Sequence, residues 1–276
     1  MMEWTRRAFI KCSKMALFSV SFGGAPLFLR QAVQATKNPI RQRIRRGVMD
    51  NFEFGELIYD NPLSSASDIE GFQLEGDAAI TFPNGRMRME NRRDPGEGQA
   101  ANFVFWCPED FPADIAVTWD FWPVREPGLC ILFFSALGRG GEDIFDSSLA
   151  PRAGEYKQYH SSDINALHVS YFRRKALKER AFQVCNLRKS YGFHMVCQGA
   201  DPLPSVVDAR PPYPITLIKC GAEVVFYIRD LKIFHWVDDS QTYGPLLDGG
   251  KIGFRQMAPL IGEYANLKVH KVSAQV

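Results

Sequence analysis

The segment AEVVFYIRDLKIFHWVDD, residues 222–239, contains two successive runs of aromatic and β-branched residues. Such residues are enriched in strands, so the segment predicts two consecutive β-strands. Comparable runs, bounded by Pro or Gly, recur through the rest of the chain. They are residues 101–107, 114–124, 128–137, 181–187, 215–220, 249–257 and 263–272.

The spacing of these runs predicts the fold class. Short strands at regular intervals, with little helical periodicity between them, are typical of an antiparallel two-sheet sandwich. No low-complexity linker divides the chain, so we predict a single all-β domain over residues 51–276. The net charge of +2 does not favour nucleic acid as a partner, because the basic residues are spread along the chain.

The N-terminus carries an export motif. Residues 5–11, TRRAFIK, pair two arginines with an apolar pair and a lysine, and a broken apolar run follows over residues 15–29. That run is too short and too interrupted for a stable membrane anchor. With small residues at 33–35, the motif predicts a twin-arginine signal over residues 1–35 and a periplasmic or secreted protein. Residues 36–50 are then a basic leader. A buried N-terminal helix and an ordinary secretory signal are the alternatives.

The chain offers few groups for a metal or cofactor. Five of its six cysteines remain once Cys12 leaves with the signal, and no CxxC pair occurs, which favours buried free thiols, with one disulfide as the alternative. His160 and His168 are eight residues apart, which is not a zinc spacing. We therefore predict no cofactor. A structural calcium ion held by Asp143 and Asp146 is a weak alternative, since the chain has no spaced D-x-D-x-D/G pattern.

Four segments together resemble a known superfamily. LIYDNPLS (57–64), the pair at 222–239, DGGKIGFRQM (248–257) and YANLKVHKV (264–272) resemble concanavalin A-like, or galectin-like, jelly rolls. The resemblance implies a jelly-roll sandwich whose first and last strands pair with each other. It also implies that an open, concave face of one sheet holds a glycan.

A narrower resemblance concerns two of the later segments. GEYKQYHSSDINALHVSYFRR (154–174), followed by GGKIGFRQM (249–257), resembles the YesU-like family, a domain of unknown function from bacterial polysaccharide-degradation loci. The resemblance covers about residues 52–273. It implies an oligo- or polysaccharide as the ligand and supplies no established reaction.

A polar strand, NALHVSYFRR, lies within the first of these segments at residues 165–174. Alternation divides its side chains between the two faces of a sheet. The face suited to the core carries Leu167, Val169 and Tyr171. The face suited to a ligand carries His168, Ser170, Phe172 and Arg174.

These outward side chains suit a sugar site. His168 could act as acid or base, Arg174 could pair with a uronate carboxylate, and Phe172 could stack on a sugar ring. A hydrogen-bonded core histidine and a solvated arginine are the alternatives. A register slip of one residue would instead present Tyr171 and Arg173.

The loop before the strand, residues 151–163, concentrates further functional groups. Tyrosine and histidine in one groove suit proton abstraction beside a uronate carboxyl, and arginines could neutralise that carboxylate. We therefore assign proton transfer to Tyr159, His160 and His168. Substrate contacts are assigned to Tyr156, Asp163, Ser170, Phe172, Arg174, Arg255 and Trp122.

Two of the assigned residues lie outside the polar segment. Ile252 and Phe254 suit the core, which places Arg255 on the opposite face of its strand, in the groove if that strand belongs to the concave sheet. Trp122 is a candidate sugar-stacking platform, although aromatic residues in a sandwich more often belong to the core.

These assignments predict an exported protein that acts on uronate-containing oligo- or polysaccharides by acid/base elimination. One alternative is a lectin-like protein, which needs no titrating group. Another is hydrolysis by Glu142 and Asp146, whose spacing resembles the E-x-D-x-E strand of sandwich glucanases. In that motif the central acid is replaced here by Ile144.

Overall fold

The computed structural model describes residues 48–174 and 183–275. In these residues the strands are β1 (Val48–Met49), β2 (Phe52–Asn61), β3 (Gln73–Glu75), β4 (Ala78–Thr81), β5 (Met87–Asn91), β6 (Phe103–Trp106), β7 (Ile115–Arg125), β8 (Gly128–Gly138), β9 (Ile164–Arg174), β10 (Val184–Ser190), β11 (His194–Ala200), β12 (Tyr213–Cys220), β13 (Glu223–Ile228), β14 (Leu231–Val237), β15 (Lys251–Gln256) and β16 (Ile261–Ala274). Short 3-10 helices cover Ala66–Ile69, Pro95–Ala101, Tyr156–Tyr159 and Val206–Asp208.

The strands form two antiparallel sheets. A nine-stranded sheet has the order β1-β2-β16-β7-β12-β13-β14, and β5 also pairs with β16 and with β4. A seven-stranded sheet has the order β11-β10-β9-β8-β15-β6-β3. The predicted all-β, two-sheet sandwich is confirmed.

The first long strand and the last strand are neighbours in the nine-stranded sheet. The register of β2 against β16 runs from Phe52 opposite Ala274 to Asn61 opposite Leu267. On its other side β16 pairs with β7. The end-strand pairing expected from the jelly-roll resemblance is therefore confirmed.

Aromatic side chains fill the space between the sheets, as the alternation predicts. Trp119 and Phe121 project from β7 towards Tyr171 of β9, and all three are buried. The indole N–H of Trp119 donates to the Tyr171 hydroxyl at 3.2 Å, and the rings of Phe121 and Tyr171 are 5.4 Å apart. This hydrogen bond satisfies polar atoms that would be costly to bury unpaired.

A second, smaller core lies on the outer face of the seven-stranded sheet. Residues 139–163, which join β8 to β9 and are called here the cover segment, place Ile144 and Tyr159 against Trp106 and Phe133 of that sheet. The centre of this face, which the jelly-roll resemblance implied to be open, is therefore packed against the cover segment. Polar groups reach the surface beside it, towards β9, β10 and β11.

The predictions for the N-terminus fall outside the described residues. These are the twin-arginine signal over residues 1–35 and the basic leader up to residue 47. Within the residues that are described, no helix is long and apolar enough to cross a membrane.

Candidate functional site

A hydrogen-bonded tyrosine–histidine pair lies on the outer face of the seven-stranded sheet. The hydroxyl of Tyr156 is 2.7 Å from Nε2 of His168. His168 is on β9 with 1 % of its surface exposed, whereas Tyr156 belongs to the short helix of the cover segment and is half-buried. Tyr156 is therefore the member of the pair that a ligand reaches first.

The backbone before Tyr156 fixes its position. Gly154 has φ +94°, and a Cβ there would overlap the carbonyl oxygen of Asn102, so only glycine fits. The Tyr156 N–H donates to Oε1 of Gln99 at 3.3 Å. The cover segment thus approaches the residues before β6 closely enough to hold Tyr156 over the sheet.

Three arginines surround the pair. The guanidinium carbon of Arg255, on β15, is 4.8 Å from the centroid of the Tyr156 ring. Arg188 on β10 and Arg173 at the end of β9 lie close enough that their charges lower the pKa of Tyr156. Among the described residues, no Asp or Glu forms an ion pair with Arg188 or Arg255. The electrostatic field at the pair is therefore positive.

Burial and the arginines shift the pKa of His168 in the same direction, but they shift the pKa of Tyr156 in opposite directions. Burial lowers the pKa of His168 well below its ordinary 6.5, and the charge of Arg188 lowers it further. Burial raises the pKa of Tyr156 to about 12, while Arg255 and the other two arginines oppose that rise. His168 is therefore neutral at neutral pH. The arginines favour an ionised Tyr156 over a protonated His168.

The second ring nitrogen of His168 indicates which tautomer suits the site. Nδ1 is buried without a hydrogen-bond partner. A buried N–H without an acceptor is rarer than an unused acceptor, so the geometry favours the proton on Nε2. In that tautomer His168 donates to the Tyr156 oxygen, and this hydrogen bond stabilises the ionised phenol.

His160 and Phe193 form the rim of the site. The His160 ring centroid is 4.9 Å from that of Tyr156 and 4.4 Å from that of Phe193. Nδ1 of His160 is 2.7 Å from the hydroxyl of Ser161, and burial lowers the pKa of this histidine. Phe193 is 48 % exposed. His160 therefore borders the pair through ring contacts.

Tyr159 lies in the small core rather than at the rim. Its hydroxyl accepts the Gly154 N–H at 3.0 Å, and its ring is 5.4 Å from that of Phe133. Burial raises the pKa of Tyr159 well above its ordinary value. The prediction that Tyr159 faces the ligand is wrong, and the structure places Tyr156 at His168 instead.

The alternation of β9 holds as far as Tyr171 and then changes. His168 and Ser170 lie on the predicted outer face, but Phe172 has φ +46° and joins Tyr171 in the core. The register against β8 also shifts in this stretch. The prediction that Phe172 faces the ligand is therefore wrong. The outer face continues with Arg173.

Arg174 is part of an internal ion pair. Nη1 lies 3.3 Å from Oδ2 of Asp201, a side chain with no exposed surface, and Nη2 donates to the carbonyl of Leu203. The same guanidinium lies over the Phe172 ring at 5.3 Å. The prediction that Arg174 binds a substrate carboxylate is wrong, since Asp201 already occupies it.

Two other predicted contact residues lie apart from the pair. Trp122 belongs to β7 of the nine-stranded sheet, where the guanidinium of Arg86 lies 4.6 Å from its ring. Asp163 accepts hydrogen bonds from the Ala150 N–H and the Ser162 hydroxyl, and so closes the cover segment. The prediction that Trp122 shares the site is wrong because it lies in the other sheet.

The acidic residues of the cover segment occupy turns. Glu142 accepts the Gly140 N–H at 2.9 Å, and Asp146 accepts the Ser148 N–H at 2.8 Å, so neither belongs to a strand of the glucanase type. Asp143 forms an ion pair with Lys251 at 2.9 Å. No three His, Cys, Asp or Glu side chains are grouped for a metal in the described residues. The five cysteines there are free thiols, of which Cys107, Cys130 and Cys185 are buried as predicted and Cys197 and Cys220 are partly exposed.

Four residues of the site were not assigned from the sequence. Gln99 and Phe193 come from other loops of the chain, and no local pattern connects them with the polar strand. The position of Arg188 could have been predicted from the alternation of its strand. Cys185 and Leu187 of β10 are in the core, so a predicted strand extended by one residue would have placed Arg188 on the outer face. Arg173 was considered only as the result of a register slip.

Because His168 is buried in its neutral form, we expect the protein to lose stability in acid. Its pKa is depressed in the folded state, so above pH 6.5 neither state is protonated, and below it only the unfolded chain takes up the proton. The free energy of unfolding should therefore fall below pH 6.5, by up to about 1.4 kcal/mol per pH unit for this group. Urea unfolding at several pH values measures it. In His168→Gln the free energy of unfolding should depend less steeply on pH, by the contribution of about one proton. Equal slopes in the variant and the wild type would contradict the lowered pKa of His168.

Comparisons with known proteins agree with this fold. The profile of a family described as a domain of unknown function, DUF1961, matches residues 56–269. The chain is 53 % identical over 220 residues to the uncharacterized protein YesU of Bacillus subtilis (strain 168). The aligned region covers 80 % of this chain and 98 % of YesU.

Two solved structures extend the comparison. A Bacillus subtilis protein of unknown function with a galectin-like fold has a TM-score of 0.77 and 52 % identity, covering 82 % of this chain and 100 % of the other. The cellulose-induced protein Cip1 has a TM-score of 0.51 at 8 % identity, covering 79 % of this chain and 99 % of the other, and shows likeness of fold alone.

Proposed function

Because this chain belongs to the DUF1961 family, whose description leaves its function open, we propose a function from its own site: elimination of uronate-containing oligo- or polysaccharides, with Tyr156 transferring the proton. The observation that carries the proposal is the 2.7 Å contact between Tyr156 and a neutral His168 in a positive field. Such a field suits a reaction in which negative charge develops.

The proposed reaction uses the ionised phenol of Tyr156. Its oxygen takes the proton from the carbon next to the uronate carboxylate. The bond from the adjacent carbon to the glycosidic oxygen then breaks, and a double bond forms between these two carbons. The leaving oxygen receives the proton that Tyr156 took up, so the phenolate is restored and the atoms balance.

The arginines at the surface would bind the carboxylate. Arg188 and Arg173 are both half-buried, and the charge of each acts on Tyr156. A planar guanidinium matches a carboxylate in two hydrogen bonds. Neutralising the carboxylate makes the proton on the adjacent carbon more acidic, because the negative charge that develops there is stabilised.

A non-catalytic glycan-binding protein is the second candidate. Tyr191 and Phe193, at the turn between β10 and β11, are 47 % and 48 % exposed. Exposed aromatic rings beside polar groups suit a sugar, which has both an apolar face and hydroxyls. A lectin of this kind would need the rim of the site but not the buried Tyr156–His168 hydrogen bond.

Incubation with defined glycans tests the proposal. The protein is mixed with uronate oligosaccharides and with neutral oligosaccharides, and both chain length and the ultraviolet absorbance of an unsaturated uronate are followed. We expect shorter chains with new absorbance from uronate oligosaccharides alone. The rate should increase with pH through the neutral range, because the reactive form of Tyr156 is ionised and its pKa is about 12.

The other outcomes are distinguishable. Shorter chains without absorbance would indicate hydrolysis and would contradict the proposal. Binding of glycans without any product, at every pH at which the protein is folded, would favour the lectin. A rate that falls as the pH rises through 6.5 would indicate that a protonated histidine takes part in the reaction. Such a result would contradict the lowered pKa of His168.

A further inference from the structure

We infer that Arg255 is a positioning residue that holds Tyr156 in its reactive geometry and stabilises the phenolate. The inference rests on the proposed function, in which Tyr156 transfers the proton. It replaces the expectation that Arg255 itself binds the substrate, because Arg255 is only 2 % exposed and lies beneath Tyr156.

The hydrogen bonds of Arg255 connect it to the backbone that carries Tyr156. Its Nη2 donates to Oε1 of Gln99 at 3.1 Å and to the carbonyl of Gly154 at 3.2 Å. Gln99 also accepts the Tyr156 N–H, and Gly154 is the residue that turns the chain towards Tyr156. One guanidinium therefore fixes both the turn before Tyr156 and the acceptor of its N–H.

The charge of Arg255 is not explained by the stability of the fold. Burying a cation without a neighbouring carboxylate is unfavourable. Replacing such a cation with an apolar side chain of similar size often leaves the protein at least as stable. Nε of Arg255 is buried without a partner, and burial lowers the pKa of Arg255 from its ordinary value, although the guanidinium keeps its proton at neutral pH. The titratable groups close to it are Tyr156, Tyr159, His168 and His160, of which the tyrosines alone can become anions. An ionised Tyr156 is therefore the anion that this buried cation can stabilise.

The other charges around Tyr156 act in the same direction but are more exposed. Arg188 and Arg173 are half-buried at the surface, and His168 and His160 are the remaining titratable groups that face the ring. Water screens Arg188 and Arg173 more than Arg255. At about 5 Å and an effective dielectric constant of about 20, a unit charge changes an ionisation constant by ~100-fold, so Arg255 is expected to have the largest single effect.

Two variants separate charge from packing. Arg255→Met removes the charge and keeps most of the volume, whereas Arg255→Lys keeps the charge. We expect Arg255→Met to unfold at a temperature close to that of the wild type, to lose ~10- to 100-fold in kcat, and to keep its KM. Arg255→Lys should recover a large part of kcat.

A second measurement does not depend on catalysis. A tyrosine analogue with a more acidic, fluorinated phenol is placed at position 156, and its ionisation is followed by fluorine NMR in the folded protein. We expect the pKa at position 156 to rise by about one to two units in Arg255→Met and by less in Arg255→Lys. The resonance is assigned by comparison with the unlabelled protein.

These measurements can overturn the inference independently of the proposed function. If the pKa at position 156 is the same in the wild type and in Arg255→Met, Arg255 does not stabilise the phenolate. If Arg255→Met is unfolded, the uncharged variant Arg255→Gln, which keeps hydrogen-bond donors, replaces it, and an unchanged pKa at position 156 in folded Arg255→Gln shows that Arg255 has a structural role only. If the pKa shifts as expected but no glycan is cleaved, the inference about Arg255 stands and the proposed elimination fails.

Discussion

Tyr156→Phe should lower the rate of uronate elimination by ~10²- to 10⁴-fold, the range expected when a positioned proton-transfer group is removed. The variant loses only the hydroxyl that contacts His168, and its ring can keep its position over Arg255. Turnover is measured by the absorbance of the unsaturated product. Thermal unfolding of the same sample is expected to be little changed, because the ring and its packing remain.

A matched variant controls for the loss of a tyrosine hydroxyl. Tyr243→Phe removes a hydroxyl from a residue that is 39 % exposed and that stacks on the ring of His194 at 4.4 Å, away from Tyr156. Its turnover is expected to equal that of the wild type. If Tyr156→Phe retained full turnover, Tyr156 would not transfer the proton and the proposed mechanism would be wrong.

Arg174→Ala is expected to destabilise the protein by about 3–5 kcal/mol, because it leaves the buried carboxylate of Asp201 without its cation. Burial already raises the pKa of Asp201, and Arg174 is the charged group that opposes this effect. The change also removes the guanidinium from the Phe172 ring and from the Leu203 carbonyl. Urea unfolding monitored by tryptophan fluorescence gives the free energy of unfolding.

The control is an arginine whose ion pair is exposed. Arg92 lies 4.0 Å from Asp77, and both side chains are largely in solvent, so Arg92→Ala should cost less than about 1 kcal/mol. Equal effects of Arg174→Ala and Arg92→Ala would show that Arg174 is not structural. Its sequence-based assignment to the substrate would then be open again.

The fold was predictable because strand alternation is a local property. Every second side chain of a strand faces the core, as those of Val169 and Phe254 do, and the sequence shows this alternation directly. The YesU-like resemblance is confirmed by the family match and by 53 % identity to YesU. It contributed what alternation does not contain, namely which strands pair across the sheet.

The site was only partly predictable because two backbone events interrupt local patterns. The positive φ of Phe172 turns that side chain inward and presents Arg173 in place of Arg174. Tyr156 and Tyr159 are one turn of a 3-10 helix apart, so both side chains reach the sheet, where Tyr156 contacts His168 and Tyr159 contacts Trp106 and Phe133. The sequence contains the correct residue types in the correct segment, but it does not show which of two neighbouring residues faces the ligand.

Residues from distant parts of the chain were the remaining difficulty. Arg188 and Phe193 meet Tyr156 only because β10 pairs with β9, and Gln99 only because the cover segment lies across the sheet. Trp122 shows the opposite case, a predicted site residue that does not meet the others. Alternation can place an aromatic side chain on an outer face, but it does not show to which of the two sheets its strand belongs. Contacts of this kind depend on tertiary structure, and no window of local sequence specifies them.

The central place of β16 has a consequence for biosynthesis. Its fourteen residues, Ile261–Ala274, follow all the other described strands along the chain, yet they separate β2 from β7 in the middle of the nine-stranded sheet. A nascent chain that has already released β2 and β7 cannot join them until β16 has also left the ribosome. Folding is then dominated by a late, long-range closure, which is slow and leaves unpaired strand edges open to chaperones in the meantime.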